Sequence, residues 1–400
     1  MIRGIASGRG EVLMKNGDNE LTALDFFAGS GLVTKGLEPA FATVWANDIS
    51  AKKARVYTEN FGDETFQLGP IESVDGRQLP GADMAWASFP CQDLSLAGKM
   101  NGLGPETRSG LFWQWLRVLD EMPASKQPLV LCLENVLGFL VAEEGKQFKL
   151  AYDSLRAREY VLGALVLDAR HFTPQSRARA FAVAVHSSVP FQEFASSSPL
   201  RQIHPKATRT AYSAVRSSSW VWWKLPRLPR RIISFTDICD REAPCDPAQK
   251  TKKLLSMLSA LNRQKLEEAV QEGNYIAGTG YRRIRKDENG EKAQRLEIRF
   301  DGLAGCLRVP SGGSSRQIVV IVDNGEIKTR LLTVREAAKL MGLEAEYWLP
   351  DSYNEAYWAL GDAVAVPVTR FLATRLLAPL CKLARGMRPD PDTAALQRNK

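Results

Sequence analysis

From Leu21 to about Ser187, short apolar runs alternate with segments whose apolar residues recur every three or four positions. TALDFFAG, TVWAND, ADMAWAS, LVLCLEN, ALVLDA and AFAVAV have the length and near-continuous apolarity of strands buried on both faces. Between them, Leu111, Trp115, Leu116 and Leu119 share a helical face until Pro123 ends it. Such alternation builds βαβ units and a mainly parallel sheet, and ligands of these sheets bind at the carboxyl ends of the strands.

Beyond Pro190 the pattern changes. Between Arg201 and Arg231 lie eight Lys or Arg residues and no acidic one, with Trp220, Trp222 and Trp223 among them. A helix is expected from Pro247 to about Glu272, closed by Gly273, with Leu254, Leu258 and Leu261 on one face. IVVIVDNGEIK reads as a hairpin turned at Asn324 and Gly325. Thr333 and Glu336 have capping-box spacing for a helix that ends before Gly342. GDAVAVPVTRFLATRLLAPL is an apolar turn feeding an apolar helix, and the charged, Pro-containing tail over 386–400 is expected to be disordered.

A hydrophobic content of 44% over 400 residues suits a globular protein of two domains. The net charge of +8 adds an attraction to polyanions. Six cysteines without a C-x-x-C pair, and only three histidines, give no zinc spacing, so no metal is expected and a reducing cytoplasmic setting is. Residues 1–20 have no signal-peptide core, and no run approaches the roughly 20 apolar residues of a membrane span. Membrane association is therefore not expected.

Chemistry enters at the strand ends. DFFAGSG, Asp25 to Gly31, is a glycine-bearing strand-to-helix turn, and Asp48 closes the next strand where it could bind ribose hydroxyls. Alone, the segment is equally a tight turn. Cys91 sits in a Pro-Cys-Gln turn after ADMAWASF, where backbone N–H groups and nearby cations would favour the thiolate over a merely buried thiol. Glu134 ends LVLCLEN as a functional carboxylate or a cap, and burial would raise its pKa towards proton sharing. Arg177 and Arg179 alternate with Gln175 in TPQSRAR, so both can face one anionic centre or simply solvate a strand edge.

Taken in order, DFFAGSG, the Asp48 strand end, FPCQ with LSLAGK, LENV, QSRAR, RLLTVREAAKLMG and GDAVAVPV resemble the motif series of C5-cytosine DNA methyltransferases over about Leu21 to Leu380. The resemblance implies a Rossmann-like S-adenosylmethionine-dependent catalytic domain with a smaller α+β target-recognition domain. Residues 1–189 would open the catalytic domain, 190–349 would form the recognition domain, and 350–385 would return to the first. It also implies that Cys91 attacks C6 of a flipped cytosine and that Glu134 binds the N3 edge. Arg177 would hold the O2 side or orient Glu134, with Arg179 in support. Phe27, Ala28, Gly29, Gly31, Leu32, Asp48, Ile49, Ile71, Pro90, Leu111, Asp362 and Val364 would bind S-adenosylmethionine.

Gln92, Ser95 and Arg108 match the family's mobile loop over DNA. Arg227, Arg230, Arg231, Arg282 and Arg283 suit phosphate contacts to double-stranded DNA, and most of the tryptophans suit burial. A monomer acting beside a separate cognate restriction endonuclease fits this reading. A tRNA cytosine methyltransferase shares the catalytic motifs, and a silent DNA-binding homologue would keep the scaffold. The chain departs from the family pattern at Pro70, Ser88, Val334 and Asp362, where the family commonly has Asp, Gly, Pro and Asn.

Overall fold

The computed structural model describes residues 20–90, 110–273, 275–286, 290–310 and 315–387. Cys91, Gln92, Ser95 and Arg108, and the expected tail from 388 onwards, lie outside the described residues. The first sheet contains β1 (Leu21–Phe26), β2 (Phe41–Asp48), β3 (Phe66–Leu68), β4 (Met84–Ala87), β5 (Val130–Asn135), β6 (Tyr160–Asp168) and β7 (Ala178–His186). Their order is β3-β2-β1-β4-β5-β7-β6. All pairs are parallel except those of β7, which runs antiparallel to both β5 and β6. The strand order reverses between β1 and β4, which opens a crevice at their carboxyl ends.

Helices α1 (Leu32–Leu37), α2 (Ala51–Phe61), α3 (Leu111–Glu121), α4 (Gly138–Val141) and α5 (Lys146–Arg156) connect these strands. All six expected strands are present. The unexpected β3 has three residues, two of them exposed, so it carries no apolar run to read.

The segment after Pro190 packs against this sheet, its two short strands pairing with each other. It forms β8 (Ala195–Ser196), α6 (Lys206–Val215) and β9 (Trp222–Trp223). Val221 N–H donates to Leu162 O at 3.1 Å, and Trp223 Nε1 donates to the Val183 and Gly163 carbonyls at 2.9 and 3.2 Å. A Cβ on Gly163 would stand 1.7 Å from the Val221 carbonyl oxygen, so this approach requires glycine. Trp220 stacks on Tyr152 of α5 with ring centroids 6.0 Å apart. The tryptophans of this basic segment are thus covered by elements of the first sheet's layer.

That smaller body comprises α7 (Phe235–Ile238), α8 (Ala248–Leu255), α9 (Ala260–Gln271) and four strands. The strands are β10 (Ile276–Lys286), β11 (Lys292–Arg299), β12 (Ile318–Asp323) and β13 (Glu326–Leu331), antiparallel in the order β11-β10-β12-β13. The single helix expected over 247–272 is broken. Leu296 N–H donates to the Met257 carbonyl, and Ser259 caps a new helix by accepting from Asn262 N–H. Leu258 consequently faces β11, while Leu261 is 63% exposed instead of sharing its face. The expected hairpin turns at Asn324 and Gly325, with φ of 49° and 84°.

The chain returns through α10 (Val334–Leu340), α11 (Tyr353–Gly361), α12 (Val366–Leu372) and α13 (Ala378–Arg385). The capping box expected at Thr333 and Glu336 is formed. The Tyr347 hydroxyl donates to the Ser30 carbonyl and Trp348 N–H to Asn60 Oδ1, which ties this stretch to α2 and the turn after β1. Tyr353–Arg385, which the sequence reading did not expect to come near a membrane span, is long and apolar enough by composition to cross one, although the chain leaves helical form between Gly361 and Val366. Two-thirds of its most apolar window is buried within the fold, with α12 against α1 and α13 against β1 and β5.

Candidate active site

At the end of β1 the chain turns through Phe27, Gly29 and Gly31, whose φ values are 59°, 57° and 81°. Left-handed backbone favours glycine, and at Gly31 space does too: a Cβ there would stand 2.4 Å from the Phe61 ring. The turn brings the Gly29 N–H to Asp48 Oδ2 at 2.9 Å, while Ser50 N–H donates to Oδ1 at 2.8 Å. A carboxylate accepts about four hydrogen bonds, so Asp48 keeps capacity for a ligand's hydroxyls. Beside it, Ile49 is 71% exposed and offers an open apolar face.

Other expected cofactor residues are placed differently. Leu32, Ile71 and Val364 are buried in the core, and Ala28 nearly so; Pro90 and Leu111 are half-buried. Pro70 caps a short turn in which Ser73 Oγ donates to the Pro70 carbonyl.

Lys53, which the motif reading did not single out, lies between two acids. Its Nζ pairs with Asp362 Oδ2 at 2.6 Å, and its charge also acts on Asp48. Burial pulls the Lys53 pKa down, but Asp362 and Asp48 outweigh it and leave the pKa raised. Asp362 in place of the common Asn was the available signal, since it puts an acid within reach of the more covered Lys53. Burial raises the Asp48 pKa despite Lys53 and the two N–H donors.

The second half of the crevice is built on β5 and the start of β7. Glu134 is buried, and Arg179 Nε lies 3.2 Å from its Oε1. Burial raises the Glu134 pKa; Arg179, then Arg177, then a hydrogen bond from Ser88 oppose the rise without cancelling it. Ser88, a departure from the family pattern, thus supports the carboxylate, and its hydroxyl also accepts from Trp86 Nε1 at 2.9 Å. Asn135 Nδ2 donates to the Phe89 carbonyl at 3.2 Å, which ties β5 to the segment leading to Cys91.

The two arginines exchange the emphasis expected of them. Arg179 pairs with Glu134. Arg177, fully buried and one residue before β7, donates to the carbonyls of Leu307 at 2.9 Å, Gly361 at 3.3 Å and Ala363 at 2.5 Å. Alternation puts both on one face, but Arg177 lies beyond the paired strand and meets the returning chain instead. Burial, and then Arg179, lower its pKa. Gln175 is structural as well, bridging Leu340 O and Leu307 N–H.

Cys306 was missed altogether. Its Sγ lies 3.2 Å from Arg177 Nη1; burial pushes the thiol's pKa up, but Arg177 and Arg179 reverse this and leave it lowered. It stands in a segment with no strand or helix pattern of its own, which carried no sequence signal.

Of the expected DNA contacts, Arg227 and Arg230 are exposed and Arg231 is half-buried. Arg282 and Arg283 are neighbours on β10 and point to opposite faces. Arg283 is occupied by Glu297 at 3.1 Å, so the two do not form one contact surface. Among the described residues, no group of three or more His, Cys, Asp or Glu residues could hold a metal.

A sheet wound in this way, with paired carboxylate sites at its reversal, is the framework of a methyltransferase-type α/β enzyme. The family described as C-5 cytosine-specific DNA methylase matches residues 21–378, and the chain belongs to that family. The type II methyltransferase M.Bsp6I of Bacillus sp. (strain RFL6) is 31% identical over 363 residues, covering 89% of this chain and 98% of its own. The type II methyltransferase M.HhaI of Haemophilus parahaemolyticus is 26% identical, over 89% of this chain and 95% of its own. The crystal structure of the S. pombe Dnmt2 methyltransferase shares the fold, with a TM-score of 0.59 at 18% identity, over 90% of this chain and 99% of that one.

Proposed function

We propose that the protein methylates C5 of a cytosine flipped out of double-stranded DNA, using S-adenosylmethionine and a covalent bond from Cys91. The observation that carries this reading is the adjacency of two half-sites. At the ribose-type half Lys53, whose charge faces Asp48, pairs with Asp362 at 2.6 Å; at the base-type half Arg177, two residues from the Arg179 that pairs with Glu134, donates to the Gly361 and Ala363 carbonyls on either side of Asp362.

The residues present fit the cofactor. Phe27, Gly29 and Gly31 would let it approach the backbone, Asp48 would take its ribose hydroxyls, and Ile49 would cover its adenine. S-adenosylmethionine supplies an electrophilic sulfonium methyl when bound. The Cys91 thiolate would bond to C6 and move the ring electrons towards C5, the carbon that would take the methyl group as the sulfonium sulfur keeps the electron pair of its broken S–CH3 bond and leaves as a neutral thioether. Loss of the C5 proton restores the C5–C6 double bond as Cys91 leaves.

Glu134 would share a proton with N3 throughout, its raised pKa favouring the protonated carboxyl. Arg179 would hold Glu134 in place, and Arg177 would position the C-terminal turn that carries Asp362. Arg108, Gln92 and Ser95 would close over the DNA, with Arg227, Arg230 and Arg231 on its phosphates.

The type II methyltransferases among the relatives support a modification role beside a separate endonuclease. Incubation with labelled S-adenosylmethionine and either duplex DNA or tRNA tests the reading. Label is expected on DNA, and label confined to tRNA would overturn it. Light scattering checks the expected monomer.

A further inference from the structure

Away from the crevice, Lys206, Arg209, Thr210, Ser213 and Arg216 recur at three- and four-residue spacing along one face of α6 and its C-cap. Glu144, Lys146 and Lys149, at the start of α5, stand opposite, and the two walls enclose a groove of about 600 Å³. The walls meet closely at Gly145. Its φ is 91°, and a Cβ there would lie 2.9 Å from Ala214 Cβ and 3.1 Å from the Thr210 carbonyl.

Five cations thus share the groove with one carboxylate, Glu144. Lys149 is paired with Asp153, and Arg216 Nε donates to the Ser213 carbonyl at 3.0 Å. Among the described residues, the exposed side chains of Lys146, Lys206 and Arg209 have no ion pair or hydrogen bond. Like charges at helical spacing destabilise a helix on their own, so this face is arranged for an external anion.

Its position is informative. β5 ends at Asn135, and α4 leads through the short turn Ala142–Gly145 to α5, so Lys146, at the start of the helix that follows β5, lies towards the carboxyl end of the sheet, as the crevice does. Phe139 of α4 packs on Phe89, with ring centroids 5.5 Å apart, two residues before Cys91. Ten-residue α6 is roughly 15 Å long, a length over which one DNA strand presents about four phosphates. Cations spread along a line in this way suit a polyanion better than a single small anion.

We propose that the groove between α5 and α6 binds the sugar–phosphate backbone of duplex DNA flanking the target base, outside the footprint of the crevice. The proposal rests on the DNA methyltransferase reading. Its test uses the full chain carrying Lys206→Glu with Arg209→Glu, and a milder pair, Lys206→Gln with Arg209→Gln. Binding is measured across salt concentrations on duplexes of about one and about three helical turns around the same target.

The wild type should bind the longer duplex more tightly. Both double variants should weaken that binding, the charge reversal by about tenfold, and lower the salt slope by about 2. Affinity and methylation on the short duplex should not change. Equal binding of variant and wild type to the long duplex would overturn the proposal, as would equal losses on both lengths, which would place the groove within the crevice's own footprint. A wild-type chain that methylates no duplex would overturn the functional reading, while the length dependence of binding would still decide for or against the groove.

Discussion

Glu134 combines three conditions seldom met by one carboxylate: burial, an ion pair with Arg179, and a hydroxyl from Ser88. Gln in its place keeps the shape but cannot share a proton, so Glu134→Gln should lower kcat by about 10²–10⁴-fold with little change in Tm. Arg179→Met removes the main influence holding the Glu134 pKa down. The protonated carboxyl should then persist to higher pH, and the alkaline limb of the kcat/KM profile should move upward as the overall rate falls. A limb that stays in place would mean that another group sets it.

Asp25 presents a different case. It is fully buried, accepts from Thr34 Oγ1 at 2.9 Å, and burial pushes its pKa up to about 7 from 3.8. Between those values the unfolded chain releases the proton while the folded chain retains it. Stability therefore falls as pH rises from about 4 to about 7, by an amount on the order of 4 kcal/mol at most, and then levels. Asp25→Asn should lose this dependence, gaining Tm relative to wild type between about pH 5 and about pH 8. A constant difference across that range would contradict the assignment.

Among the elements, α10 is held most firmly at its start. Glu336 accepts from both Arg330 terminal nitrogens, at 2.6 and 2.8 Å, and from Thr333 and Asp240 N–H, each at 2.8 Å. Arg330 and Glu336 are both buried, so removing one partner strands the other charge. Glu336→Ala should cost about 3–5 kcal/mol in urea unfolding, whereas Thr333→Ala, which removes only the hydroxyl cap, should cost about 1 kcal/mol. This cap was legible because its spacing is local. The six main strands were legible because burial on both faces leaves continuous apolar runs. The break between α8 and α9 was not, because a backbone bond from Leu296, far away in sequence, replaces helical pairing at Met257.

The whole molecule is a discontinuous assembly in which the chain's end completes its beginning. Arg177 binds carbonyls at Leu307, Gly361 and Ala363, Lys53 binds Asp362, and Arg385 binds Asp83 on the loop before β4. Arg177→Lys cannot reach three carbonyls at once, so hydrogen exchange should quicken around 361–365, with KM for the methyl donor rising more than kcat falls. Motif order exposed the reactive groups but not these braces, whose partners are backbone oxygens that any residue supplies. Nor did the basic composition between 201 and 231 reveal that its tryptophans pack on the first sheet's layer.

The proposed reaction stands or falls on whether Cys91 bonds to the target base during transfer. Incubation with S-adenosylmethionine and duplex DNA carrying 5-fluorocytosine at the target tests this most directly, because fluorine cannot leave C5 as a proton does. A denaturation-resistant protein–DNA adduct is expected from the wild-type chain and none from Cys91→Ala. An adduct that survives in Cys91→Ala, or methylation of ordinary DNA by that variant at the wild-type rate, would contradict the account.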